Sequence, residues 1–270
     1  MSVRSATIAT SLELGLIFAG FVLLWRFVVR PAARANRPAP RLAEWTIPGA
    51  DFVRFMFVVV CCSLIGNFAA TLLLKFRPLA GDPKLMFLTA CSHAGMLAGI
   101  AAFKFAVERV PLASAALRVS DFVSGVVTFL VALPAVTATN VVWHWLLEVC
   151  GLHLEKQDLV GMFANARSPL LLTLMIVLAT VTAPATEEMV FRAGFFRYLR
   201  TRIPRWAALV APSCLFAALH QNLASFAPLV VLGVAFSLAY ERTGRIGTTI
   251  IAHALFNLHT IALIFAGVGM

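Results

Sequence analysis

Apolar runs of about 20 residues recur along this 270-residue chain, and they restrict its fold more than any other feature. One run reads FMFVVVCCSLIGNFAATLLL, residues 55–74, and carries no charge. About 20 helical residues cover the roughly 30 Å of a bilayer's hydrocarbon core. In lipid, backbone N–H and C=O groups must be satisfied within the spanning structure, so helices and closed barrels are the options. The runs lack the strict alternation of barrel strands. The expected fold class is all-α, a polytopic membrane protein. Composition agrees: 61% of residues are hydrophobic and 13% charged, about half the charge of a soluble domain.

Eight apolar segments are long enough, or nearly so, to cross: roughly 8–29, 53–75, 84–106, 121–147, 168–190, 206–222, 225–241 and 246–267. The sixth and seventh are short and closely joined, which predicts a tight helical hairpin. Residues 1–165 thus form about four N-terminal transmembrane helices, and 166–270 about four more within one membrane domain. The first segment has the length of a signal peptide, but Arg26 and Arg30 at its far end argue for a retained anchor. The Arg/Pro-rich linker at 30–50 has no apolar period and is expected on the membrane surface, with Trp45 at the interface. Pro184 is a candidate kink in the fifth segment.

The net charge is +10. The arginines cluster in short loops between apolar runs, where they act as topology signals and contacts for anionic lipid. Without a soluble basic domain they do not indicate nucleic acid. Loops after segments one, three, five and seven hold Arg30, Arg34, Arg37, Arg41, Arg109, Arg118, Arg197, Arg200, Arg202, Arg205, Arg242 and Arg245. The opposite side holds Arg4, Lys75, Arg77, Lys84, Lys156 and Arg167. The richer side is expected in the cytoplasm, with both termini outside, in a multi-pass protein of the cell (inner) membrane. Cys61, Cys62, Cys91, Cys150 and Cys214 form no C-x-x-C and read as unpaired residues.

Against this apolar background, the adjacent carboxylates Glu187 and Glu188 stand out. A charge at the centre of a membrane helix costs at least about 2.5–3.5 kcal/mol. Arg192 follows Glu188 by four residues and can pair with it on one helix face. Glu187 points about 100° away and is the candidate carboxylate for chemistry. Two further i, i+4 pairs follow, Phe216-x-x-x-His220 and His253-x-x-x-Asn257. Three helices can therefore direct a carboxylate, two imidazoles and an amide into one cavity. That is a hydrolytic set. A carboxylate oriented with an imidazole takes a proton from water, and an imidazole with an amide N–H stabilises an oxyanion. Ser213 and Cys214 belong to neither pair, which argues against a covalent nucleophile.

The three motifs, in the sequence contexts EEMVFRAGFFRYL, CLFAALHQ and RIGTTIIAHALFNL, resemble the CAAX-protease and bacteriocin-processing (CPBP, or Abi) family of intramembrane proteases. The resemblance covers residues 170–265. It implies a CAAX-protease-like helical bundle and cleavage of a peptide bond in or at the membrane. It further implies Glu187 as general base and His220 as the residue holding or co-activating water. His253 and Asn257 would form the oxyanion site. Glu188 and Arg192 would be a buried pair that orients Glu187, and Phe216 would shape the pocket beside His220. The family's eukaryotic members act at prenylated cysteines, a substrate that does not transfer to many bacterial members. The implied partners are membrane lipid and a membrane-associated peptide or protein.

A zinc site at Glu187, His220 and His253 is the alternative chemistry. The chain lacks H-E-x-x-H, and Asn257 is a poor zinc ligand, so the metal-free reading is preferred. A non-catalytic immunity or scaffold protein on the same fold is the alternative function. A transporter is disfavoured, because no repeated halves are visible. Asn67, His93, Asn140 and His144 are expected to make interhelical hydrogen bonds or to sit at the interface, and His259 to pack.

Overall fold

The computed structural model describes residues 3–36, 38–107, 117–152, 161–163, 166 and 168–267. Arg37, Arg109, Lys156 and Arg167 lie outside the described residues. Among those described, every regular element is helical. Seven helices are long and apolar enough to cross a membrane. We label them with one shorter helix: α1 (Val3–Leu24, extended by a π-turn to Val29), α2 (Gly49–Phe76), α3 (Gly81–Val107), α4 (Val119–Val149), α5 (Pro169–Leu199), α6 (Arg205–Ala218), α7 (Leu223–Thr243) and α8 (Ile246–Ala266). The eight expected segments are all present, and the sixth falls short of a span at 14 residues.

α6 and α7 form the expected hairpin, packed against each other. The turn between them begins earlier than the apolar pattern suggests. α6 stops at Ala218, and His220 N–H and Gln221 N–H bond the carbonyls of Ala217 and Ala218. Gln221 then takes a left-handed φ of 50°, which reverses the chain. His220 therefore sits in the turn, not on the helix face that its spacing predicts. Asn222 caps α7 through its side-chain oxygen, which accepts from Ser225 N–H at 2.9 Å.

The Arg-rich loops share one end of the bundle. The segment after α1 runs beside the ends of α5 and α7, and Arg41 and Leu42 donate their N–H groups to the Glu241 carbonyl. Its own carbonyls are held by arginines of α5 and the following turn. Arg197 Nε reaches Ala43 O at 2.9 Å, Arg200 Nη1 reaches Leu42 O at 3.1 Å, and Arg202 Nη2 reaches Ile47 O at 2.6 Å. Irregular backbone near a membrane needs such partners, and guanidinium forks supply several donors each. At the same end Arg245 bonds the buried carboxylate of Asp121 on α4.

Trp45 lies in this segment and departs from expectation. It is 1% exposed and meets Phe55 and Phe103 edge-on, with ring centroids 5.7 and 6.5 Å away. The arginine clamp satisfies the backbone around it, so the indole enters the α2–α3–α5 core and not the interface. The largest apolar cluster extends from Trp45 through Phe191, Phe196 and Phe216 to Tyr240.

Candidate active site

The site is built on α5, whose local sequence disturbs its own helix. Pro184 has no N–H and cannot donate one turn back. The helix widens into a π-turn over Leu178–Thr182, where Ala183 N–H reaches Leu178 O. A second π-helical stretch, Met189–Phe196, follows the acidic pair. Between them Ala183–Glu188 is α-helical. Widened turns of this kind are frequent at functional sites.

The first π-turn leaves the Ala179 carbonyl without its usual donor. Ala183 N–H has gone to Leu178, and the next residue is Pro184. Asn257 of α8 fills the gap, with Nδ2 2.7 Å from Ala179 O. The amide is thus committed through one N–H and retains a second.

Glu188 is fully buried, and its Oε1 accepts from two donors. Arg192 Nη1 lies 2.9 Å away, as the i, i+4 spacing predicts. His253 Nδ1 lies 2.9 Å away on the other side. The Arg192 guanidinium is 1% exposed and sits over Phe216 and Phe236, 4.7 and 5.4 Å from the ring centroids. Ring faces attract a cation, which helps keep this charge in an apolar core. Glu188 therefore does more than hold its own helix. With Nδ1–H donated to Glu188, the His253 ring is fixed in orientation.

The other nitrogen of that ring faces Glu187. His253 Nε2 is 3.7 Å from Glu187 Oε2, and the Glu187 side chain is 20% exposed. One imidazole is thus set between adjacent carboxylates. One is sealed, with Oε1 taking both bonds and Oε2 buried without a hydrogen-bond partner; the other is partly open.

Phe216 joins the remaining member. Its ring is 1% exposed and lies edge-on to both imidazoles, 4.8 Å from His220 and 5.9 Å from His253. His220 Nδ1 bonds the Phe216 carbonyl at 2.8 Å, closing the turn that ends α6. The imidazole is exposed and its Nε2 is left for other partners. His253 lies seven residues into α8, so the site is about 11 Å in from the Arg-rich end. Among the described residues, no three of His, Cys, Asp and Glu are grouped as a set of metal ligands.

One polar contact is absent from the sequence expectations, and two interhelical bonds agree with them. Glu13 on α1 is within 2.5 Å of His259 Nε2, so His259 is a paired residue as well as a packed one against Phe129. A carboxylate inside the apolar first segment was the signal for it. His93 on α3 bonds Thr186, the residue before Glu187, at 2.6 Å. Asn67 bonds Ser92 across α2 and α3 at 3.1 Å, the interhelical role expected of it.

Residues 169–259 match the model of the family described as type II CAAX prenyl endopeptidase Rce1-like. The match begins at the start of α5 and ends on α8, so it contains every motif residue. The chain is 29% identical over 90 residues to "Putative membrane peptidase YdiL" of Bacillus subtilis (strain 168), covering 33% of this chain and 37% of that protein. It is 32% identical over 90 residues to "UPF0177 protein YbdI" of Lactococcus lactis subsp. lactis (strain IL1403), covering 33% and 47%. The chain thus spans less than half the length of these curated relatives. No solved structure matches. The family resemblance carried by the three motifs holds for the last third of an all-α, multi-pass membrane protein.

Proposed function

We propose that this protein is an intramembrane endopeptidase of the glutamate type, acting on membrane-associated peptides or proteins from the cell (inner) membrane. The observation that carries the reading is the single imidazole of His253 held between Glu188 and Glu187. Glu187 takes a proton from water, and the resulting hydroxide attacks the scissile carbonyl carbon. Protonated His253 donates from Nε2, and Asn257 from its second N–H, to the oxyanion. Glu187 then returns the proton to the leaving amine as the C–N bond breaks. His220, anchored at Nδ1, accepts a hydrogen bond from the water through Nε2. Phe216 keeps both imidazoles in register. The scheme needs no metal, since Asn257 suits an oxyanion better than a zinc ion.

The support for this reading is the donor set, its burial beside a partly open carboxylate, and the similarity to the Rce1-like endopeptidase family and to a putative membrane peptidase. A non-catalytic scaffold has less need of a partly open Glu187 next to a sealed pair. Positive-inside bias places the Arg-rich end in the cytoplasm.

The test compares membrane proteomes of cells making wild-type protein and Glu187→Gln. Fragments present with wild type and absent with the variant are expected. With such a fragment's parent as substrate in proteoliposomes, the variant should lose about 10²–10⁴-fold in rate. The wild-type rate should persist in o-phenanthroline. Equal cleavage by the Gln variant would sink the reading, and zinc-reversible loss in chelator would replace water activation by Glu187 alone.

A further inference from the structure

The two halves of the bundle close over the site unequally. On α5 every residue of 188–194 is buried, whereas none of 176–183 apart from the two ends of that contrast needs exception: all eight are half-buried or exposed. On α8 the residues 246–249, Ala252 and His253 are buried, while none of 257–260 is. Both buried stretches lie toward the Arg-rich end. The clamped segment adds Leu42, Trp45 and Ile47 to the packing there, and Phe196 and Tyr240 are fully buried beside them. His253 therefore lies behind a packed layer about 11 Å deep on that side.

The members of the site that are not sealed lie away from this layer. The Glu187 side chain is 20% exposed, Asn257 is half-buried and His220 is exposed. His220 belongs to the α6–α7 turn, and α4 fixes where that turn sits. α4 starts at the Arg-rich end, where Asp121 meets Arg245, so its last residues lie at the opposite end. Trp143, six residues before α4 ends, donates Nε1–H to Leu223 O at 2.8 Å, just past the turn. Among the described residues Glu187 has no arginine or lysine in bonding distance. A membrane-embedded carboxylate of that kind faces water or the bundle interior, because hydrocarbon does not solvate it. The exposed part of Glu187 is thus a wetted part. Leu219 and Leu223 flank the turn and are 61% and 52% exposed, which gives the opening an apolar edge.

We propose that the active site opens away from the Arg-rich end, and that its substrate is a membrane-anchored peptide cut on the extracytoplasmic side or in that half of the bilayer. The side follows from the positive-inside bias, which puts the sealed end in the cytoplasm. The anchor of such a peptide lies in lipid along the leucine edge, and its extended chain reaches Glu187 past His220. A peptide confined to the cytoplasm meets the packed layer instead. The substrate class rests on the endopeptidase reading; the direction of the opening does not.

Cysteine labelling tests the direction. The probe is a maleimide that does not cross membranes, applied to cells stripped of their wall and to inverted vesicles. Cys150 is exposed at the far end of α4 and reports the orientation of the protein. In the wild type it should be labelled from outside. In a Cys150→Ser background, His220→Cys should also be labelled from outside. Thr201→Cys, exposed at the Arg-rich end, should be labelled only in inverted vesicles. Labelling of His220→Cys only in inverted vesicles, or from neither side, would overturn the proposal. Labelling of wild-type Cys150 only in inverted vesicles would turn the opening toward the cytoplasm and overturn it as well.

Should His220→Cys fail to fold, the cut sites give a second reading with the wild-type protein. Terminal sequencing of the fragments made by wild type and not by Glu187→Gln should place the cuts in extracytoplasmic segments or in that half of the anchor. Cuts in cytoplasmic segments would refute the proposal. Outside labelling of His220→Cys without any cleaved fragment would defeat the endopeptidase reading and leave the outward opening standing.

Discussion

The α2–α3 hairpin and the α5–α8 group hold together by opposite means. α2 and α3 approach until backbone meets backbone. A Cβ on Gly66 would lie 2.3 Å from the Cys91 carbonyl oxygen, and one on Gly95 would lie 2.2 Å from that of Cys62. Close approach of small residues is how helices gain van der Waals contact when lipid tails are as apolar as side chains. The α5–α8 group instead surrounds charge. Glu188, Arg192 and His253 are all buried there, and Glu188 bonds Arg192 within α5 and His253 across to α8. The hairpin has no room for an added atom at Gly66 or Gly95; the charged group depends on its one shared acceptor, Glu188 Oε1, while Glu188 Oε2 and Arg192 Nη2 are buried without partners. His93 links them, since it lies on α3, turned away from the Gly95–Gly99 face, and bonds Thr186 of α5.

The comparison breaks first at Glu188. Glu188→Ala should leave Arg192 buried and unpaired, at about 3–5 kcal/mol of stability. Thermal unfolding and size-exclusion profiles in detergent should show loss of the folded species. A folded, monodisperse Ala variant would mean that the ring faces of Phe216 and Phe236 suffice for Arg192. By contrast Glu187→Gln, at a partly open position, should fold normally and fail only in turnover.

A smaller effect is expected in the hairpin. Gly66→Ala must push α2 away from the Cys91 carbonyl, at about 1–3 kcal/mol. Urea or thermal titration of the variant should show lower stability, with proteolysis opening the α2–α3 loop first. Unchanged stability would show that the hairpin slides to accommodate a methyl group, and that its glycines are not what sets the spacing.

The smallest effect sharpens the account of Asn257. Its bond to Ala179 O exists because Pro184 leaves that carbonyl without a donor. Asn257→Ala should therefore cost about 0.6 kcal/mol in stability, the average for interhelical hydrogen bonds in a membrane. In a Pro184→Ala background, α5 regains a backbone donor and that cost should vanish. A double-mutant cycle measures the coupling. Full additivity would show that the π-turn and the amide are independent.

Much of the membrane architecture was legible because it is local. A spanning helix must satisfy its own backbone, so long uncharged runs announced the helices before any contact was known. The Glu188–Arg192 bond was legible for the same reason, as four residues of one helix fix it. His220 was placed on a helix face by spacing alone, and the structure puts it in a turn. The apolar pattern carries no record of where α6 ends; the reversed φ of Gln221 decides that. Trp45 was expected at the interface because its loop is polar, but three arginines from far along the chain satisfy that loop and let the indole go inward.

The sequence by itself determined the class of protein and the order of its helices, and it singled out the polar side chains proposed to carry hydrolysis. Each of these rests on short-range rules of hydropathy, helical period and i, i+4 pairing. Only the tertiary structure decided who meets whom. His253 reaches Glu188 across 65 positions, Asn257 reaches Ala179 across 78, and His93 reaches Thr186 across 93. These contacts depend on how whole helices rotate and slide against one another. That is set by packing and polar satisfaction summed over the bundle, which no single stretch of sequence contains.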